Sequence, residues 1–289
     1  MPVGEIASLL AACCWAVGLN LFRRDVTEIG SGAVNLFKGM VGSTLFLLTL
    51  ALSGFPEIGA RAQAYLVVSG VVGFALGDTF LFFTLSQMGP HRAALFGSLG
   101  PVFTALGAWT LLGETLGAGR LLGIALAAGG VAVVVYFRRG VGAGHATGRG
   151  VVFGILAAVC HACGVLLTKR GLEDADALAA STLRLTAATV VLALAALGRG
   201  RLGPDLARLF RRASLSRLVP AALIGTFTGI WLMQVGIERT ESAVANALHS
   251  TTPLFTLVIA VFVLRERIGA LPVLGSLVAV AGVLLLFLS

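Results

Sequence analysis

The sequence is a succession of apolar runs, each as long as a helix that crosses a lipid bilayer. Such a helix needs about 20 mostly apolar residues. Ten runs of this kind lie near residues 4–22, 33–53, 64–86, 91–112, 117–137, 150–168, 177–197, 217–238, 243–264 and 269–288. Because lipid cannot satisfy the hydrogen bonds of an open backbone, each run is predicted to be helical. The fold class that follows is an all-α integral membrane protein with ten transmembrane helices.

The residues between the runs are too few to form a soluble domain. Only 12% of the chain is charged, about half the share found in soluble proteins. The longest polar stretches are residues 138–149 and 199–217, and the second has the pattern of a short amphipathic helix at the membrane surface. The net charge of +8 reflects Arg residues in short loops, which favours contact with lipid headgroups over nucleic acid. No cleavable signal peptide is recognised, so the first run is predicted to be a span.

The second half of the sequence repeats the first. A shift of 146 residues pairs Lys38 with Arg184 (184 − 38 = 146) and aligns Gly, Ala, Cys and Arg residues of the first and sixth runs. A shift of 152 residues pairs Pro101 with Pro253 (253 − 101 = 152) and aligns Gly, Ser and Glu residues of the later runs. Chance similarity of apolar runs would not bring Pro, Glu and basic residues into one register, which indicates a true duplication.

Each repeat holds five runs, an odd number, so the second repeat starts on the opposite side of the membrane. Residues 1–140 are predicted to form the first five-helix repeat, 141–149 the linker and 150–289 the second repeat. Two inverted repeats related by an axis in the membrane plane are an architecture of secondary transporters, with the solute site between them near the middle of the bilayer. The parity of the repeat therefore predicts transport.

Both repeats end in the same motif, in which twelve residues separate a Pro from a Glu and two Gly residues follow. The matched residues are Pro101, Glu114, Gly123 and Gly130 in the first repeat and Pro253, Glu266, Gly275 and Gly282 in the second. With these paired motifs the chain resembles, over nearly its whole length, the EamA-type branch of the drug/metabolite transporter superfamily. The resemblance implies two EamA-like repeats, a central cavity, alternating access and a small organic solute, often an amino acid or metabolite that is exported.

Lys38, Asp78 and Arg184 lie well inside predicted spans, where charge is costly and marks a functional site. Lys38 and Arg184 occupy equivalent positions and either attract a solute carboxylate or extend to the membrane surface. Asp78 lies deep in the third run, and its equivalent is Ile230, so the repeat does not demand a carboxylate there. Asp78 either carries a coupling proton or pairs with a neighbouring helix, for example with Lys38.

Small and polar residues on equivalent helix faces predict the wall of a cavity. Ser98 and Pro101 share a face at helical spacing, and so do their equivalents in the second repeat. Small residues and a Pro break allow a cavity to form, although close helix packing uses the same residues. Cavity lining is favoured because Asn246 and His249 on the second face are polar. The predicted substrate-cavity residues are Trp15, Lys38, Asp78, Ser98, His161, Arg184, Trp231, Gln234, Asn246, His249 and Ser250.

The remaining candidates have two interpretations each. Trp15 and its equivalent His161 lie within spans, which favours a cavity wall or gate over the interfacial belt. Trp231 and Gln234 in the eighth run are predicted to add to the same cavity, although a single Trp or Gln more often serves packing. The residues predicted to have structural roles at helix breaks and helix ends are Pro101, Pro253, Glu114 and Glu266.

No arrangement of residues typical of an enzyme is present, and the P-loop motif of ATP-driven proteins is missing. Cys160 and Cys163 flank His161 without a second ligand cluster, so no metal site is predicted. No cofactor is expected beyond a coupling proton. The predicted partners are a small-molecule solute and membrane lipids, not nucleic acid, for a monomer or homodimer that crosses the bacterial inner membrane several times.

The alternative function is that of a non-transporting membrane scaffold or lipid-handling protein. In that case neutralising Lys38, Asp78 and Arg184 would leave every solute flux unchanged. Orientation also has two interpretations. The distribution of Arg in the loops predicts both termini outside the cytoplasm, whereas the family resemblance implies both inside, and a reporter fused to the C-terminus distinguishes them.

Overall fold

The computed structural model describes residues 3–54, 56–112, 117–137, 147–239, 248–265 and 269–288. Within these ranges the regular structure is entirely helical, with no strand. The described part of the chain therefore has the all-α class that the apolar runs predict. The predicted linker, 141–149, lies mostly outside the described residues.

The described residues of the first half form six helices. They are α1 (Val3–Glu28), α2 (Ser31–Ser53), α3 (Ala60–Met88), α4 (Pro90–Gly97), α5 (Gly100–Leu112) and α6 (Ala118–Phe137). α3 contains a π-helical segment, Val71–Gly77, between two α-helical parts. α4 and α5 together occupy the fourth apolar run, and a turn at Ser98 and Leu99 separates them.

The described helices of the second half follow a similar order. They are α7 (Gly148–Gly171), α8 (Ala177–Gly198), α9 (Leu202–Leu209), α10, α11 and α12 (Ala270–Leu288). α10 joins Arg212–Ala221, a π-helical segment Ala222–Thr228 and Gly229–Arg239 without a break. α11 joins Thr252–Val258 to a second π-helical segment of this half, Ile259–Val263.

Length and hydropathy mark these helices as membrane-spanning. Six of the described helices are long and apolar enough to cross a bilayer, and three shorter apolar helices accompany them. Large apolar side chains such as Leu48, Leu194 and Leu274 point outward and are more than half exposed, which suits lipid and not water. The protein is therefore a multi-pass membrane protein.

One helix extends beyond its apolar run, and one short helix lies between two runs. α1 continues six residues beyond the predicted end of the first run at residue 22, to Glu28. The extension is stable because the buried Asp25 has a charged partner on another helix, described below. The amphipathic segment after α8 forms the short helix α9, and its Leu209 is fully buried in the core that α1, α2 and α10 share.

α6 and α12 pack against each other along glycine faces. A Cβ on Gly130 would collide with the backbone of Ala279, and a Cβ on Gly282 would collide with the backbone of Ala127. The earlier residue of α6 thus meets the later residue of α12, so the two helices run antiparallel. Glycine allows the two backbones to approach closely, which stabilises helix pairs in lipid.

A second pair of contacts involves the long helices of both halves. Gly18 of α1 lies against Gly225 of α10, where a Cβ on Gly18 would be 2.9 Å from the Cα of Gly225. Gly164 of α7 lies against Gly73 of α3, where a Cβ on Gly164 would be 3.0 Å from the Cα of Gly73. The sequence registers relate these contacts, since 164 − 18 = 146 and 225 − 73 = 152. Equivalent helices therefore exchange equivalent partners.

The contact between α2 and α8 joins a residue to its own equivalent. The hydroxyl oxygens of Ser43 and Thr189 lie 3.0 Å apart, and the two residues are separated by 146 positions. Gly39 allows this approach because a Cβ there would collide with the Thr189 hydroxyl. Two positions that are equivalent in the sequence repeat are therefore in direct contact.

A buried ion pair ties the end of α1 to the start of α10. Arg217 donates from Nε to Oδ2 of Asp25 over 2.9 Å and from a terminal nitrogen to Oδ1 over 2.7 Å. The Asp25 side chain is fully buried, whereas that of Arg217 is 27% exposed. This two-point geometry is the strongest form of an Arg–carboxylate contact.

Replacing Arg217 with Ala is expected to lower the thermal stability of the detergent-purified protein. The change leaves the buried Asp25 carboxylate without its partner, at a cost of about 3 kcal/mol, the lower end for breaking a buried ion pair. Arg24→Ala on α1 is the control, because the Arg24–Glu28 pair is exposed on both sides and exposed pairs contribute little. A scan in which both variants melt like the wild type would contradict a structural role for this pair.

Candidate functional site

The site begins at the π-helical segment of α3. A π-helical turn leaves backbone carbonyls without their usual partners and often occurs where a helix has a function. Here Nδ2 of the buried Asn35 on α2 donates to the carbonyl of Phe74 over 2.8 Å and lies 2.9 Å from Oγ1 of Thr79. The Asn35 amide therefore fixes α2 against the irregular part of α3. Lys38 follows one helical turn later and faces the same segment.

Asp78, the first residue after that segment, is the centre of a charged cluster. Its Oδ2 accepts a hydrogen bond from Nζ of Lys38, and its Oδ1 lies 3.0 Å from Nε2 of His161 on α7. Because an ionised carboxylate only accepts hydrogen bonds, Nε2 of His161 carries a proton in this arrangement. The side chains of Asp78 and Lys38 are 1% and 6% exposed. Of the two interpretations that the sequence leaves open for Asp78, the structure displays the ion pair with Lys38.

Glycine and aromatic residues shape the space around this cluster. A Cβ on Gly77 would lie 2.7 Å from Cδ2 of His161, so glycine at this position lets the imidazole reach Asp78. The ammonium group of Lys38 lies 5.5 Å from the ring centre of Phe82 and 5.7 Å from that of Phe74. These distances allow cation–π attraction, which stabilises a positive charge removed from water.

A small cavity lies beside the cluster, between helices of both halves. Its volume is about 20 Å³, and its walls include Trp15, Lys38, Asp78, Phe82, Gly225 and Thr226. A space of this size accommodates one water molecule. Helices α1, α2, α3 and α10 therefore meet around the ion pair and leave only this small space between them.

Trp15 and His249 form a second polar pair within the helices. Their ring centres are 5.3 Å apart with the ring planes nearly perpendicular. Gly229 of α10 makes room for the indole, since a Cβ there would lie 2.8 Å from Cδ1 of Trp15. Nε1 of Trp15 and Nε2 of His249 are buried and have no hydrogen-bond partner within the described residues. Both nitrogens thus keep hydrogen-bonding capacity for a polar solute group.

Arg184 of α8 approaches the same part of α3 from the opposite repeat. Its Nε donates to Oγ of Ser69 over 2.9 Å, and its guanidinium lies 4.4 Å from the ring centre of Phe74. Arg184 and Lys38, equivalent in sequence, therefore converge on one aromatic ring. The residue is only 8% exposed, so the side chain does not extend to the membrane surface.

The predicted Pro breaks coincide with helix starts. Pro101 is the second residue of α5, directly after the turn at Ser98 and Leu99. Pro253 is the second residue of α11, directly after the turn at Ser250 and Thr251. Ser98 and Ser250 are both buried, and the Ser98 hydroxyl donates to the carbonyl of Leu95 over 2.8 Å.

Several predicted residues lie elsewhere or outside the described part. Trp231 of α10 is 49% exposed, and the walls of the small cavity beside Asp78 do not include it. Gln234, one turn later, is 3% exposed and lies inside the bundle. Asn246, Glu114 and Glu266 lie outside the described residues.

Sequence reasoning missed two polar residues of this region, Asn35 and Ser69, and one buried contact elsewhere, that of His91. Asn35 fixes α2, the helix of Lys38, against α3, whereas Ser69 accepts a hydrogen bond from Arg184, and neither residue is charged. Nε2 of His91 on α4 lies 3.0 Å from the hydroxyl oxygen of Ser276 on α12, in a separate buried contact. Asn35 lies one turn before the intramembrane cation Lys38, and Ser69 directly precedes Gly70. These positions are the signals that would have identified the two residues.

Comparisons with known proteins agree with this architecture. The model of the EamA-like transporter family matches residues 2–136 and 148–288. A curated protein of Archaeoglobus fulgidus that is described as an uncharacterized transporter is 27% identical over 285 residues, which cover 98% of this chain and 97% of that protein. A solved structure described only as the crystal structure of a protein has a TM-score of 0.68 at 15% identity. This last match covers 98% of this chain and 95% of the other, and it shows a shared fold alone.

Apolar helices that enclose ion-paired side chains are typical of membrane transporters. The chain belongs to the EamA-like transporter family, because the family model matches both halves and nearly every residue. The resemblance found in the repeat motifs is thereby confirmed, and family and relative both indicate a membrane transporter rather than an enzyme.

Proposed function

We propose that the protein is a secondary active transporter that exports small organic solutes, amino acids or related metabolites, across the bacterial inner membrane. Its ten spans form two inverted five-helix repeats, and alternating access takes place around a central cavity. The solute and membrane lipids are its partners, and it acts as a monomer or homodimer. The Asp78 cluster is the observation that carries this proposal, because it joins helices of both repeats beside a small cavity.

The packing of equivalent helices supports the inverted arrangement. α6 and α12 occupy equivalent positions in the two repeats, and their glycine contacts run in opposite directions. A parallel duplication would set these helices parallel to each other. The exchanged contacts of α1 with α10 and of α7 with α3 fit the same axis, as does the direct contact of Ser43 with Thr189.

The charged cluster offers a mechanism for coupling solute binding to movement. Asp78 on α3 and Lys38 on α2 belong to the first repeat, whereas His161 on α7 belongs to the second. A solute charge that competes for Asp78, or a proton that neutralises it, releases α2 and α7 together. A ligand shifts a conformational equilibrium only through different affinities for the two states, and this cluster provides such a difference.

A proton is the coupling ion that the cluster fits best. Asp78 and His161 share a hydrogen bond inside the bundle, and carboxyl–imidazole pairs form proton relays in transporters. The other titratable groups of the neighbourhood are Lys38, Arg184 and His249. Proton movement through Asp78 would alternately form and break the link between the repeats.

The purified protein in proteoliposomes is expected to release a subset of trapped solutes faster than protein-free vesicles. The load is a mixture of amino acids and related metabolites, measured by mass spectrometry after filtration, with and without an imposed pH gradient. The gradient is expected to change the rate of release by roughly tenfold, the effect of a 1.4 kcal/mol driving force. Arg24→Ala serves as the control for reconstitution, since that side chain is exposed.

Two results separate the proposal from its alternative. Release of no solute, with correctly folded and oriented protein, would favour the non-transporting scaffold or lipid-handling protein. A rate of release that does not depend on the pH gradient would support transport and contradict proton coupling.

A further inference from the structure

Arg184 has fewer partners than a buried guanidinium can bind. The group carries five N–H donors, and Nε uses one of them on the Ser69 hydroxyl. Within the described residues, the structure gives the two terminal nitrogens no hydrogen-bond acceptor, although the residue is 92% buried (100 − 8). These two nitrogens form the planar fork with which a guanidinium binds a carboxylate, and they are the part of the side chain without a partner among the described residues.

The contacts around Ser69 hold this fork in a fixed orientation. The Ser69 hydroxyl lies 2.8 Å from the carbonyl of Gly164 and 2.6 Å from the Thr168 hydroxyl, so α7 fixes it. Gly70 presses against the backbone of Arg184, because a Cβ at that position would collide with the Arg184 carbonyl. Gly73, one turn later, also lies beside the guanidinium, since a Cβ there would be 3.6 Å from a terminal nitrogen.

The equivalent cations of the two repeats differ in their counter-charge. Lys38 is neutralised by Asp78, but the residue equivalent to Asp78 in the second repeat is Ile230 (78 + 152 = 230). The cluster around Phe74 therefore contains two cations, Lys38 and Arg184, and one carboxylate among the described residues. The ring attracts a cation, yet it does not cancel the charge. A buried excess of positive charge is costly unless an anion offsets it.

We propose that Arg184 binds the carboxylate of the transported solute through the two terminal nitrogens of its guanidinium. This inference rests on the proposed transport function and specifies its substrate class. A single carboxylate neutralises the excess charge beside Phe74, and the planar fork accepts it in two parallel hydrogen bonds. The solute amine, where one is present, is not required for this contact.

Matched sets of compounds test the inference in wild-type proteoliposomes. Each set holds a neutral amino acid, the amide that replaces its carboxylate and the acid that lacks its amine, for example leucine, leucinamide and 4-methylpentanoate. The amino acid and the acid are expected to be released, whereas the amide is released on the order of tenfold to hundredfold more slowly. Equal release of the amide would overturn the inference and leave transport intact.

Variants of Arg184 test whether this residue is responsible. Arg184→Gln is expected to slow release of the carboxylate compounds to the rate of the amide. Arg184→Lys keeps the charge without the fork and is expected to give an intermediate rate, which guards against a folding defect. Arg199→Gln, on an exposed residue at the end of α8, is the control. Unchanged selectivity in Arg184→Gln would overturn the inference, whereas a wild type that moves no compound would refute the transport function itself.

Discussion

Asp78→Asn is expected to abolish transport and to lower the melting temperature of the purified protein by on the order of 10 °C. The change leaves the ammonium group of Lys38 buried without a counter-charge. Removing one partner of a buried ion pair costs about 3–5 kcal/mol, and a chain of this size loses about 2–4 °C per kcal/mol. An amide oxygen still accepts the hydrogen bond of His161, so the effect is assigned to the lost charge.

The double variant Lys38→Met/Asp78→Asn separates stability from function. Replacing both charges of a buried pair is often neutral for stability, so the melting temperature is expected to recover. Transport of the solutes found in the reconstitution screen is expected to stay absent, because the link from α2 to α7 no longer responds to charge. Recovery of both properties would mean that the pair serves only the fold. Glu173→Gln, on an exposed carboxylate, is the control for both measurements.

Gly130→Leu is expected to prevent accumulation of folded protein, whereas Gly129→Leu is expected to be tolerated. The two residues are neighbours on α6, but only Gly130 lies against the backbone of α12. A Cβ on Gly129 meets no atom within 4 Å, and the residue is exposed. A Leu at residue 130 would force the helices apart along their whole contact, which exceeds the cost of about 1–3 kcal/mol for ordinary overpacking.

Fluorescence size-exclusion chromatography of detergent-solubilised protein measures both variants in one experiment. Gly282→Leu on α12 is expected to match Gly130→Leu, because the two glycines exchange equivalent contacts. A monodisperse peak of normal height for Gly130→Leu would contradict the close α6–α12 contact. Equal loss in Gly129→Leu would show that any large residue in this part of α6 is harmful, independent of that contact.

The sequence predicted the helical runs well because lipid imposes one requirement on every span. A run of about 20 apolar residues must be helical whatever it packs against. The ends of each helix were harder to predict, because a polar residue extends a helix into the bundle only where it has a partner on another element. α1 extends to Glu28 because Asp25 binds Arg217, 192 residues further along the chain. No local pattern contains that information.

The candidate site was predictable where charge marked it and not elsewhere. Lys38, Asp78 and Arg184 are conspicuous in apolar runs, and the structure brings all three around Phe74. The rotation of a uniformly apolar helix is not set by its hydropathy, so the sequence could not predict that Trp231 is half exposed while Gln234 is buried. The same limit concealed Ser69. Its partner Arg184 is 115 positions away, and small hydroxyl residues are common throughout the spans.

Inversion of the repeats is the claim on which the transport proposal depends, and cysteine labelling measures it directly. Thr27 lies in the last turn of α1, and Glu173 lies two residues after the end of the equivalent helix α7. The two residues are equivalent in the repeat (173 − 27 = 146), and both are exposed. Thr27→Cys and Glu173→Cys are made separately after replacement of the four native cysteines. Each is labelled in intact cells with a membrane-impermeant maleimide, before and after permeabilisation. One cysteine is expected to react in intact cells and the other only after permeabilisation. Reaction of both from the same side would contradict the inverted arrangement.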